Sequence, residues 1–343
     1  MMQAKFVKHT LNFKRPSGTS RGILTSKDSW FLILTDQEEK GIGECSILEG
    51  LSYDDHVDFE ATLKTLCNQI NRGEPLIDLT SWPSIKMGYE TAILSLKSSN
   101  PFYLFPSLFT DTKESIPING LVWMGTFDFM KAQIDSLLER EFNCIKIKIG
   151  AIDFEEELRL LAQLRNRYDA NTITIRVDAN GAFKPQEALK KLDQLSKHQI
   201  HSIEQPIAVN QWEPMSILCQ KSSIPIALDE ELIGVFDADT QSSMLTQIQP
   251  QYLIFKPSLL GGFSNTQNWI DLAEKYTIKW WVTSALESNI GLNAIAQWTY
   301  SKKVSLPQGL GTGSLFLNNI DSSLVIKKGC LWNDKSIPWK EIF

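Results

Sequence analysis

Through its first 45 residues the chain alternates apolar and polar positions with a period near two. Residues 6–13 do so loosely, and residues 29–35 form an aromatic and branched run. Such side chains suit a pleated, half-buried surface, so both stretches predict antiparallel strands. An acidic turn at 36–40 leads into Gly41-Ile42-Gly43-Glu44-Cys45. The period lengthens to a helical one over 54–71 and again over 82–98. Together these elements predict an α+β capping domain over residues 1–110, ending in the Pro- and aromatic-rich connector 100–107. It contains two loops, the basic 15–22 and the short 48–52. They are either plain connections or covers over a site elsewhere.

From residue 116 the pattern changes to short apolar strands alternating with amphipathic helices. Polar residues close the strands at 148, 178, 204, 229, 256 and 284, in steps of 30, 26, 25, 27 and 28. A regular βα period of this kind means parallel strands joined by helical crossovers. The prediction is an α/β fold, a (β/α)8-type barrel over residues 116–320 or its (β/α)7β variant with short last units. An open doubly wound sheet ranks second, because no glycine-rich phosphate turn follows an early strand. Residues 323–332 read as a strand pair returning to the first domain, which residues 320–343 would complete.

Composition narrows the function classes. The 343 residues are 43% apolar and 22% charged, as in an ordinary soluble globular protein, and a net charge of -6 argues against a nucleic-acid surface. No apolar run is long enough for membrane insertion. The N-terminal residues lack a signal-like apolar stretch, and the five cysteines are scattered without a CxxC spacing. The expectation is a cytoplasmic protein with reduced thiols. Oligomeric partners are unknown at this level.

The chemistry is concentrated at the strand ends. In Cys144-Ile145-Lys146-Ile147-Lys148-Ile149-Gly150 two lysines share one face of a buried strand. Such a pair needs partners. Later strand ends supply Asp178, Glu204 and Asp229, followed by Lys256. A barrel gathers these residues at one mouth. Three converging carboxylates repel one another unless a cation lies between them. An all-oxygen set favours Mg2+, with Mn2+ as a substitute. Histidine offers little: His201 is three positions from Glu204 and reads as packing on the opposite strand face. A lone acid is more often a helix cap or a solvated strand end; the spacing of the set is what points to a site. A dication between two lysines suits removal of a proton beside a carboxylate, with Lys146 and the metal lowering the pKa of Lys148.

The pattern Lys146-x-Lys148, Asp178, Glu204, Asp229, Lys256 resembles the enolase superfamily, specifically its muconate-cycloisomerase-like subgroup. Sites of that superfamily use a lysine or histidine base with Mg2+. The resemblance implies that Lys148 is the acid/base, that the three acids hold Mg2+, and that Lys256 faces Lys148 across a small carboxylate substrate. It makes Lys146 a supporting residue, places Asn180 near the metal, and makes the loops around 15–22 and 48–52 covers of the substrate. Dipeptide epimerases of the subgroup carry Asp-x-Asp at the eighth strand, where this chain has Gly309-Leu310-Gly311-Thr312-Gly313. A neutral end suits a substrate without an amine, its oxygens received near Gly311 and by the Ser284 hydroxyl. Arg15 and Arg21 are further candidates for a succinyl tail. Within the subgroup, the resemblance implies dehydration of 2-succinyl-6-hydroxy-2,4-cyclohexadiene-1-carboxylate to 2-succinylbenzoate, by syn elimination, in menaquinone biosynthesis. An N-acylamino acid racemase or dipeptide epimerase is the alternative. A non-catalytic binding barrel is the remote one.

Overall fold

The computed structural model describes residues 2–19, 22–150 and 152–340. Its first sheet is antiparallel, in the order β1 (Gln3–Thr19), β2 (Gly22–Asp36) and β3 (Glu39–Ser46). Both faces of β2 are covered, which is why its central run reads as almost continuously apolar. Trp30, Leu32 and Leu34 pack on Leu63, Leu66 and Ile70 of α1 (Phe59–Arg72). Phe31 and Ile33 face the other way, onto Ile42 and Ile290. The glycines flanking Ile42 let β3 lie directly on α2 (Pro83–Leu96): a Cβ at Gly43 would strike the Gly88 carbonyl.

Two expectations about this region are revised. Residues 15–19 are not simply a loop, since β1 and β2 continue as a hairpin past a bulge between Asn12 and Ser17, pairing Ser17 with Leu24. Arg21 lies outside the described residues. The first helix starts at Phe59 rather than 54, because Asp54 is committed elsewhere. Its buried carboxylate accepts the N–H (2.8 Å) and hydroxyl (2.6 Å) of Ser84 at the start of α2.

The chain then passes through β4 (Ile116–Pro117) into seven βα steps. These are β5 (Gly120–Val122), α3 (Phe127–Glu139), β6 (Cys144–Lys148), α4 (Phe154–Arg167), β7 (Thr174–Asp178), α5 (Pro185–Ser196), β8 (Ser202–Glu204) and α6 (Trp212–Lys221). Next come β9 (Ile226–Leu228), α7 (Ala238–Ile248), β10 (Tyr252–Phe255), the single turn α8 (Pro257–Leu260), α9 (Gly262–Lys275), β11 (Lys279–Val282) and α10 (Asn289–Ser301). Strands β5 to β11 are parallel neighbours in chain order. Two bridges close the ring through an eighth position, Ile118 with Gln308 and Thr283 with Gly309. A short 3-10 turn, Thr312–Leu315, replaces the helix of the last unit. The architecture is therefore the (β/α)7β form of the barrel with a capping α+β layer.

Barrel helices begin where sequence chemistry says they should. Asp153 caps α4, whose first turn carries Glu155, Glu156 and Glu157 against the helix dipole. The strand pair near the C-terminus exists as β12 (Leu324–Lys327) and β13 (Cys330–Asn333), but it does not join the first sheet. Leu331 pairs with Ile116, so β13 lies on β4 beside the barrel. Other C-terminal residues make the return instead: Phe316 bridges Phe13, and Trp339 stacks on Phe102 at 4.3 Å. The five cysteines are all free thiols. Among the described residues no helix is long and apolar enough to cross a membrane.

Candidate active site

Inside the ring, alternate residues of each strand point to the axis and form layers. The lower layer is aromatic around one cation. The Arg176 guanidinium lies 3.9 Å from the Trp281 ring centroid and donates to the Pro307 carbonyl at 2.8 Å. Tyr252 and His201 adjoin it, their rings 5.1 Å apart. His201 packs, but inside the ring at the barrel floor beside Tyr252 and Trp281 rather than on the opposite strand face, because it precedes the strand and its ring turns inward. Burial first, then Arg176 and Lys279, hold its pKa down at about 4.

The upper layer holds the lysines and acids singled out from the sequence. Strand register sets Lys148, Asp178 and Glu204 side by side on three neighbouring strands. Asp229 and Lys256 each follow immediately on the last residue of their own strands. Lys146 Nζ lies 3.1 Å from Asp178 and 2.9 and 3.0 Å from the two oxygens of Glu204. Lys148 Nζ lies 3.2 Å from Asp178 and donates to Asn180 Oδ1 at 2.7 Å. Lys256 donates to Asp229. All three acids are at most 2% exposed.

Electrostatics sort these groups. Burial pushes the Asp178 carboxyl upward, but Lys146, Lys148 and Lys256 outweigh it and hold Asp178 below the usual carboxylate range. Glu204 goes the other way: burial and the neighbouring Asp178 raise it well above its ordinary value, against the pull of Lys146. Burial alone would lower Lys146 and Lys256. The surrounding acids overcome that, led by Asp178 for Lys146 and Asp229 for Lys256, and keep both raised and charged.

Above this layer opens a cavity of about 920 Å³. Lys146, Lys148, Asp178, Asn180 and Lys256 line it from the barrel; Arg15, Leu48 and Leu51 line it from the first sheet and its following loop. Gly311 and Ser284 are at the wall. The Ser284 hydroxyl, expected to receive a substrate oxygen, instead donates to Glu287 at 2.7 Å and accepts from the Leu286 N–H at 2.9 Å.

Two residues at the cavity escaped the sequence reading. Glu230 accepts from Asn180 Nδ2 at 2.8 Å, and burial followed by Asp229 raises its pKa. Its only sequence signal is the acidic run Asp229-Glu230-Glu231, which does not say which member turns inward. Trp123 places its ring 5.9 Å from Lys148 Nζ, and nothing in its apolar surroundings distinguishes it from core. Asn180 itself has φ +43°, a left-handed conformation that lets its N–H cap Asp178 Oδ1 at 3.0 Å while its side chain spans Lys148 and Glu230.

The donor chemistry bears on a metal. Among the described residues, no three His, Cys, Asp or Glu side chains are gathered as a ready-made cage. The buried acids are held apart by ammonium groups, Lys146 between Asp178 and Glu204 and Lys256 on Asp229. A set of oxygen donors already organised around cations suits a hard dication that keeps waters of its own.

Known proteins resemble this chain in sequence and fold. Residues 130–331 match the family described as enolase C-terminal domain-like. An o-succinylbenzoate synthase from Desulfotalea psychrophila is 44% identical, over 96% of this chain and 98% of its own. The crystal structure of MenC from Desulfotalea psychrophila LSv54 superimposes with a TM-score of 0.87 at 40% identity, covering 96% of this chain and 99% of that one. A D-Ala-D/L-Ala epimerase from Cytophaga hutchinsonii is 28% identical over 86% of this chain and 82% of its own.

Proposed function

We propose a reaction from one premise: the chain belongs to the enolase C-terminal domain-like family. Its activity is that of an Mg2+-dependent o-succinylbenzoate synthase, a hydro-lyase of cytoplasmic menaquinone biosynthesis. The observation that carries this choice is the neutral wall at the eighth position. Gly309, Gly311 and Thr312 line the cavity there and present no carboxylate to a substrate ammonium. The 44% identical synthase supports the same choice.

Lys148 removes the proton alpha to the ring carboxylate. Its Nζ is aimed by Asn180 Oδ1, so the lone pair that forms on deprotonation keeps a defined direction. The same group then hands that proton to the departing 6-hydroxyl on the same face, so the elements of water leave syn. Lys256, four strand positions round the ring from Lys148, stays protonated beside Asp229 and offers its charge to the opposite face of the enediolate. Asp178, Glu204 and Asp229 would hold Mg2+, which supplies positive charge to the substrate carboxylate. The first sheet with α1 and α2, met by Phe316 and Trp339 from near the C-terminus, forms the cap that keeps bulk water out. Aromatisation of the ring adds driving force.

The test is direct. Purified protein with Mg2+ and the cyclohexadiene substrate should develop the ultraviolet absorbance of the aromatic product. The epimerase from Cytophaga hutchinsonii keeps a second reading in view. Absence of aromatic product, together with epimerisation of a dipeptide, would reverse the assignment. A calorimetric titration without any Mg2+ binding would remove the metal from it.

A further inference from the structure

The turn after β11 holds a backbone outlier at the cavity wall. Leu286 has φ +61°, a region that a side chain with a Cβ enters only when its surroundings enforce it, and Leu286 lines the cavity. The enforcing group is Glu287, fully buried. One of its oxygens accepts the Ala285 N–H at 2.8 Å and the Ser284 hydroxyl at 2.7 Å, and Ser284 Oγ holds the Leu286 N–H. Its other oxygen accepts the hydroxyl of Ser258 at 2.5 Å. Ser258 stands two residues after Lys256. One carboxylate therefore joins the turn presenting Leu286 to the turn carrying Lys256.

A carboxylate this deep needs a countercharge. Across the junction the buried cation is Lys27 of β2, whose charge acts on Glu44 first and on Glu287 second. Lys27 is itself buried and donates to Ser46 and, at 3.4 Å, to Ser29. Ser29 donates to Glu44 at 2.7 Å, and Glu44 accepts the N–H groups of Ser288 and Gly291, each at 2.9 Å, at the start of α10. Burial presses Lys27 below and Glu287 above their ordinary values; Glu44 and then Glu287 oppose the first shift, and Lys27 opposes the second. Neither Lys27 nor Glu287 borders the cavity.

We propose that Glu287, joined across the junction to Lys27 through Glu44 and the start of α10, is a positioning residue that fixes the cavity wall at Leu286 and the seat of Lys256. This rests on the reading of the cavity as the site of dehydration. A double-mutant cycle with Glu287→Gln and Lys27→Met tests it, with Ser284→Ala as the mild variant should Glu287→Gln fail to fold. Each single change is expected to lower kcat/KM about 10–100-fold, mostly through KM. The double variant, with the net charge of the junction restored, should lose at least about fivefold less than the product of the singles. Ser284→Ala should raise KM in the same direction. Multiplicative effects, or a lower melting temperature with KM unchanged, would overturn the proposal. Hydrogen exchange of residues 256–260 and 283–291 in the free protein provides a second readout. It should quicken in each single variant and recover in the double; unchanged exchange overturns the coupling. A wild-type protein that dehydrates nothing would sink the functional reading, and the exchange cycle would still judge the junction.

Discussion

Two layers of one barrel, stacked along its axis, both bury charge and use it differently. In the floor, Arg176 lies flat on Trp281 and is tied to a backbone carbonyl, with His201 and Tyr252 beside it. Arg176 and Trp281 are both closed to solvent. In the mouth, Asp178 is followed across the ring by Glu204, Asp229 and Lys256, and the ammonium groups that bind them border an open cavity. Those partners are side chains beside open space, not rings and backbone. Buried charge held by rings and backbone is architecture; buried charge held by side chains beside a cavity is chemistry.

Substitutions in the two layers should therefore separate activity from stability. Lys148→Ala is expected to cost at least about 10²–10⁴-fold in turnover, with the melting temperature nearly unchanged; substantial residual turnover would take Lys148 out of its role. Trp281→Ala should do the opposite. Emptying that buried site costs about 3–5 kcal/mol in a denaturant titration, while Mg2+ binding by the folded fraction persists. Asp178→Asn should weaken Mg2+ binding by more than the roughly 10–100-fold that loss of a supporting group costs, read by calorimetry. An unchanged affinity would break the distinction between layers.

The smallest effect is a pH dependence of the floor. His201 titrates at about 4 in the fold against an ordinary 6.5, so the folded state binds fewer protons. Its contribution is whole above pH 6.5 and drains away as pH falls toward 4, on the order of 2 kcal/mol with solvent access allowed for. Thermal melts of His201→Gln should show a shallower loss across that window. An identical slope would mean the floor titrates elsewhere.

How legible was this in the sequence? The repeat of polar strand ends exposed the barrel and brought Lys148, Asp178, Glu204, Asp229 and Lys256 to one mouth, because parallel strands joined by helices leave those residues little freedom. What the sequence hid were choices made in three dimensions. Ser284 reads as a free hydroxyl until its partner three residues on is seen. Asp54 sits where a helix pattern starts, yet it serves the start of a different helix. The strands β12 and β13 are short enough to pair with several edges, and only packing selects β4. Glu230 is one acid among three until a single 3-10 turn, Glu230–Leu232, orients it.

The bridge that completes the ring also limits what the protein can evolve into. At Gly309 a Cβ would collide with the Thr283 side chain and crowd its Cα at 3.2 Å, so any side chain there opens the barrel before it alters the substrate. Gly311 is different. Its φ of -92° suits any residue, and a Cβ there would meet nothing closer than the tip of Ile118 at 3.3 Å. An ancestral or descendant protein that gained an acid for amine-bearing substrates would have had its mutational route through position 311, with position 309 shut by the need to keep the ring whole.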